Sequence, residues 1–304
     1  MLPRPDVARL GIAYRRIPIM AIGRDVYLDT RLQLRKLEEL PGPKPKLGSE
    51  RGDDQVVERL LSIAATDGGV FRTAAALLPP TLPLLKDPAF QRDRADLMGA
   101  PFDPEALSHG RPEALRELLG VFELLETTLL ADGRNWLLKT DGPGLADLEA
   151  VWPLHWMTIG MPPGHLPQDH FSPATFPKVY AWIRRFDAAV SEASAKLGKP
   201  KTLKGGEAAR LVAQAPWHEA ERPVDAADFV AAAVQGGIRK GDAVAVRPTD
   251  TGTSRTDTGA LVSLDKDEVV FETSVEGGGS VRVHAPRHGF RVTRAKDGLP
   301  SGKL

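Results

Sequence analysis

Cysteine is absent from all 304 residues. That excludes disulfides, thiolate catalysis and cysteine-based zinc or iron–sulfur centres, and it fits a reducing compartment. Net charge is absent too. Forty Lys and Arg balance forty Asp and Glu, so no global field draws the chain toward nucleic acid or a membrane surface. No run approaches the ~20 apolar residues of a membrane span. The opening MLPRPDVARL has no apolar stretch of signal-peptide length. G-x-S-x-G, H-E-x-x-H, the P-loop and the dinucleotide glycine loop are missing, and no repeat period is visible. These absences predict a cytoplasmic protein that engages neither nucleic acid nor membrane.

Three compositional stretches follow one another. Residues 1–45 read as a short helix, then the strands IPIMAI and RDVYLD, joined as a hairpin at Gly23. IPIMAI is apolar on both faces, which predicts a central strand. Asp29-Thr30 opens an amphipathic helix with Leu28, Leu32, Leu34, Leu37 and Leu40 near helical spacing, and PGPKPKLGSERGDD is a linker. Residues 46–200 carry helical periodicity. DDQVVERLLSIAAT presents Val57, Leu60, Leu61 and Ala64; RPEALRELLGVFELLETTLL presents Leu115, Leu118, Leu119, Phe122 and Leu125. Residues 201–304 hold a short helix, DAADFVAAAVQGG, and five strand-like runs: DAVAVRP, GALVSL, EVVFETS, SVRVHAP and FRVTRA. Short strands at this spacing predict a small barrel or curled sheet, with the glycines at Gly277 forming a hairpin turn.

The order of these stretches, with four local motifs, resembles the glutathione transferase superfamily over roughly residues 5–197. The chain looks most like its fungal members, some with an appended C-terminal module. The motifs are Ile17-Pro18 at a strand start, Asp29-Thr30 at a helix start, the GPGLADLEAVW segment around Asp147, and TFPKVYAWIRRF. The resemblance implies a partial thioredoxin-like α/β unit and an all-α domain; with the separate all-β module read from the strand runs, the expectation is an α+β multidomain chain. It implies a cis Ile17–Pro18 bond exposing the Ile17 backbone to the cysteinyl part of glutathione. It implies that Asp29, Thr30 and free helix N–H groups hold the γ-glutamyl end. Arg16 joins Ile17, Pro18, Asp29 and Thr30 as cofactor-binding candidates, and Arg15 and Arg24 are further partners for a ligand carboxylate. Gly144 stands where the family has a hydroxyl cap, so the capping box around Asp147 is incomplete.

In the family, a strand and helix preceding this point supply the thiol-activating residue. The chain therefore reads as N-terminally shortened, with glutathione held weakly or lost and no catalytic residue assignable. The hairpin's bare edge would be covered by a second copy, giving a homodimer, or by the C-terminal module folding back. Trp152, His155 and Trp156 are candidates for a substrate pocket between the domains, with core packing the plainer role. His165, Asp169, His170, His284 and His288 show no metal-site spacing. Arg92, Asp93, Arg94 and Asp96 make a charged helix read as solvated or ion-paired. The function expected is a glutathione-transferase-like transferase or isomerase acting on a small apolar molecule, with or without glutathione. The alternative is a non-catalytic binding or assembly module.

Overall fold

The computed structural model describes residues 2–42, 46–233 and 237–295. Along the chain lie α1 (Pro5–Ala8), β1 (Ile19–Ile22), β2 (Asp25–Leu28), α2 (Thr30–Glu39), α3 (Gly52–Thr66), α4 (Val70–Ala76), α5 (Pro88–Met98), α6 (Pro104–His109), α7 (Arg111–Thr127), α8 (Leu145–His155) and α9 (Pro177–Leu197). There follow α10 (Gly205–Gln214), α11 (Phe229–Ala233), β3 (Ala243–Pro248), β4 (Asp257–Leu264), β5 (Glu268–Ser274), β6 (Ser280–Pro286) and β7 (Phe290–Arg294). The chain divides into two compact units. One comprises Met1–Leu40, Asp87–Phe102 and Thr202–Leu304; the other comprises Pro41–Lys86 and Asp103–Lys201.

The first unit is a seven-stranded sheet in the order β1-β2-β6-β5-β4-β3-β7. Residue 23 needs a left-handed backbone for the two-residue turn between β1 and β2, and Gly23 supplies it at φ 59°. The five C-terminal strands fall on the five predicted runs, and Gly277, Gly278 and Gly279, all with positive φ, close the β5–β6 turn. Three expectations change here. The hairpin and the C-terminal strands are not separate modules, because β2 pairs in parallel with β6, Val26 opposite Val283. The ladder is open, ending in β1 and β7, and is not a closed barrel. IPIMAI therefore forms an end strand, and RDVYLD lies inside the sheet. The core beneath joins Val26 and Leu28 to Val244, Val246, Leu261, Phe271, Val281 and Val283, with Leu10, Ile12 and Tyr14 from the N-terminal segment. The "folding back" alternative is thus what the structure contains, although on β2.

The domain boundary at residue 46 also shifts, because α5 belongs to the first unit. Arg15 is buried there, and its guanidinium donates to the Asp93 carboxylate and carbonyl, both at 2.9 Å, and to Asp96. A buried guanidinium without such partners would cost several kcal/mol. The charged helix is therefore ion-paired, on a buried partner. On α2 and its C-cap, Leu37 and Leu40 are exposed, and Gln33 and Lys36 are buried beside Leu32. Gln33 Nε2 donates to Pro18 O and Tyr27 O, both at 2.9 Å, which ties α2 to the hairpin.

The second unit packs helices around Leu118, Phe122, Leu125, Trp136, Val151, Leu154, Phe171, Phe176 and Trp182. The α3 face is the predicted one only in part: Leu61 packs against this core and Val57 is half-buried. Leu60 and Ala64 are exposed, and Glu58, Ser62 and Ala65 are buried. The two motif segments of this unit meet at one carboxylate. Asp147, fully buried, accepts from Gly144 N at 2.9 Å, Leu137 N at 3.0 Å and Trp182 Nε1 at 2.8 Å. Gly144 has no side chain to complete a capping box, so Asp147 does more than cap: it joins α8, the preceding loop and α9. Asp147→Ala would strand three buried donors, each worth about 1–3 kcal/mol. We expect a loss of about 3 kcal/mol or more in chemical denaturation. A loss near the ~1 kcal/mol of a simple cap would show that water replaces the carboxylate.

Candidate functional site

The N-terminal candidates come together at the start of α2. Asp29 is its N-cap, held at φ 70° with its side chain accepting from Arg31 N at 3.2 Å. A non-glycine residue at positive φ is uncommon and marks a position imposed by its surroundings. Thr30 is exposed in the first turn, where N–H groups lack intrahelical partners. Ile17–Pro18 is a cis peptide, and Ile17 is 74% exposed. Arg16 Nη2 lies 3.5 Å from Asp29 Oδ2, so Arg16 and Asp29 face one another. Among the three arginines considered for a ligand carboxylate, Arg15 is committed to Asp93 and Asp96. Arg24 donates to Ser280 O and lies over the Trp217 ring at 4.0 Å. Only Arg16 faces the Asp29–Thr30 cap.

The segment leading into this site is fixed by a residue the sequence did not flag. Asp257, fully buried on β4, accepts from the N–H groups of Ala13 and Tyr14. Burial pushes its carboxyl up to about 6, against the opposing pull of those two hydrogen bonds. Tyr14 itself is buried, stacked on Phe290 at 5.9 Å, and burial drives its hydroxyl well above the usual range. It stays a neutral phenol and a core residue.

In the other unit the aromatic candidates separate. Trp152 and Trp156 gather around Phe71, with ring centroids 4.9 and 6.0 Å away. His155 instead pairs its Nε2 with Asp187 on α9 at 2.8 Å. All three are half-buried.

Sequence reasoning missed a buried charged cluster beneath β2, β5 and β6. His284 Nε2 lies 2.8 Å from Asp25 Oδ1 and its Nδ1 lies 3.2 Å from Glu268 Oε2. Lys36 donates to Glu219 and Glu268, each at 2.9 Å, and Arg222 pairs with Glu268. Tyr27 donates to Glu219 at 2.8 Å. Burial pulls His284 toward the neutral imidazole, although its bond with Asp25 resists. Burial also raises Asp25, but hydrogen bonds from His284 and from the N–H groups of His218 and Glu219 outweigh it and hold the carboxyl below its usual range. Among the described residues, Glu219, Glu268 and His284 form the one group whose ligand atoms lie within 4.8 Å of each other. Lys36 and Arg222 already supply its positive charge, so the donor set is a closed ion network and fits a metal poorly. His165, Asp169 and His170 form no such group. The signals available were single polar residues inside strand patterns, Asp25 in RDVYLD and His284 in SVRVHAP.

A family model described as a domain of unknown function (DUF7962) matches residues 73–195. No curated protein matches the chain. The crystal structure of a GST-like protein from Pseudomonas syringae is similar over 97% of this chain and 87% of its own, with a TM-score of 0.62 and 22% identity. The chain therefore shares its mixed α/β fold with a GST-like protein. No helix among the described residues is long and apolar enough to cross a membrane.

The Asp257 carboxyl gives a pH test. Its folded-state pKa, about 6, lies above the 3.8 of an ordinary aspartate. Ionising it therefore costs the folded protein stability, a cost that grows as pH rises from 3.8 and is complete above about 6. Asp257→Asn keeps an acceptor for Ala13 and Tyr14 and removes the charge. We expect it to gain about 1–3 kcal/mol relative to wild type at pH 8, by the 1.4 kcal/mol per pH unit conversion, and little at pH 4.5. Melting curves that differ equally at both pH values would place the carboxyl at an ordinary pKa.

Proposed function

We propose that the chain is a GST-like transferase or isomerase acting on a small apolar molecule, with a weakened glutathione site at Arg16, Ile17, Pro18, Asp29 and Thr30. The observation that carries this reading is the positive-φ Asp29 cap facing Arg16 at 3.5 Å beside an exposed Thr30. There the Asp29 carboxylate would take the ligand's ammonium group, and Thr30 with the free N–H groups of α2 would take its carboxylate. The surface formed by half-buried Trp152 and Trp156 with exposed Phe71 is of the kind that accepts an apolar molecule. No residue is assigned to the chemical step. Calorimetry should give weak glutathione binding, with Kd on the order of 1 mM. Asp29→Ala should abolish it at a stability cost of only about 1 kcal/mol. Binding that survives Asp29→Ala would move the ligand elsewhere.

One observation favours a second reading, a binding or assembly role through self-association. On α3, Val56, Leu60 and Ile63 are 56%, 58% and 48% exposed at helical spacing, and Glu58 and Ser62 face inward. An apolar stripe turned outward from a helix with polar residues inside suits a partner helix, and a symmetric homodimer is the commonest arrangement. Light scattering should give a dimer mass that falls to a monomer in Leu60→Glu. A wild-type monomer at micromolar concentration would end this reading.

A further inference from the structure

Arg16 is gripped from two distant parts of the chain. Its Nη1 donates to both carboxylate oxygens of Asp250, at 3.0 and 2.9 Å, and its Nε donates to the Tyr14 hydroxyl at 3.0 Å. The guanidinium carbon lies 5.3 Å from the ring centres of Tyr14 and Phe290. Nη2, buried, faces Asp29 at 3.5 Å and has no hydrogen-bond partner. Asp250 sits in the loop 249–256 between β3 and β4. That loop is pinned where Thr249 N donates to Gly289 O at 2.9 Å and Gly252 N donates to Leu97 O at 2.6 Å. Gly252 takes a positive φ of 72° there, and a side chain on it would press on Arg15 at 3.0 Å. The Asp250 carboxylate is thus placed by its loop, on the surface, against Arg16, which faces Asp29.

We propose that Asp250 sets the charge preference of the Arg16–Thr30 site: it occupies the Arg16 guanidinium and turns away ligands that would bring a carboxylate to it. This rests on reading Arg16–Thr30 as a ligand site. Two carboxylates, Asp29 and Asp250, share one guanidinium, so the cluster carries a net charge of −1. A third carboxylate meets repulsion and must compete with Asp250 for Nη1 and with Asp29 for the facing Nη2. Ligands with an ammonium or neutral group at that end are favoured over acids.

The test compares glutathione with its glycyl monoethyl ester on wild type and on Asp250→Asn, by calorimetry, with melting temperature as the folding control. Wild type should prefer the ester. Asp250→Asn should tighten glutathione about tenfold and leave the ester within about twofold. Reaction of Arg16 with phenylglyoxal, followed by peptide mass spectrometry, is the ligand-independent arm and should run several-fold faster in the variant. Unchanged glutathione affinity in Asp250→Asn overturns the charge preference. Equal Arg16 reactivity in the two proteins overturns the grip of Asp250. Binding of neither compound to either protein, with Arg16 faster in the variant, overturns the ligand reading and the charge preference, and leaves the grip standing.

Discussion

The pairing of β2 with β6 is the constraint on which the first unit depends. It joins residues 25–27 to residues 282–284 in parallel, and it is laid over buried charge. Asp25, His284, Glu268 and Lys36 are all shielded from water there. Removing one leaves its direct partners short of a counter-charge in a low dielectric, a loss of about 3–5 kcal/mol. A neutral His284 has one N–H and faces two carboxylates. The cluster must therefore share a proton among three groups or hold an imidazolium. Either way, a slip of β2 by one residue would turn Asp25 and Tyr27 to the other face and break their bonds with His284 and Glu219 together. We read the network as fixing register more than adding net stability, because an apolar cluster of the same size could be as stable.

Both α2 and α3 bury polar residues and expose leucines. In α2 the reason is visible. Gln33 satisfies two carbonyls of the hairpin, Pro18 O and Tyr27 O, and Lys36 neutralises Glu219 and Glu268. These bonds hold the start of β1 near the start of α2. They bring the Ile17–Pro18 bend, the Asp29 cap and Arg16 into one place.

Much of this was legible in the sequence because it is local. The β3–β7 runs, the Gly23 turn, the Asp29 cap and the helical character of residues 111–127 follow from periodicity and turn chemistry within a few residues. What was not legible is non-local. Nothing in RDVYLD states that it pairs with SVRVHAP some 250 residues away, so the hairpin looked like a separate half-domain with IPIMAI at its centre. The periodicity of α2 and α3 counted leucines and could not see that a buried Lys36 or Glu58 had partners waiting. Asp250 and Asp257 lie within and at the end of a turn-rich segment, TDTGTSRTD, where carboxylates are ordinary turn formers. Only the fold shows that one reaches Arg16 and the other the backbone before it.

That last pair clarifies how the two ends of the chain are coupled at the candidate site. Asp257 fixes the backbone of Ala13 and Tyr14, and Asp250, seven residues earlier, fixes the side chain of Arg16. The geometry around Asp29 and Thr30 is thus set jointly by the local helix cap and by the β3–β4 connection. A cap alone would offer N–H groups and one carboxylate to any small zwitterion. With the β3–β4 loop in place, the same cap is presented beside an arginine whose Nη1 is already bound to Asp250. The C-terminal strands therefore act on the site in two ways: they complete the sheet that carries it, and they decide which charge it can accept.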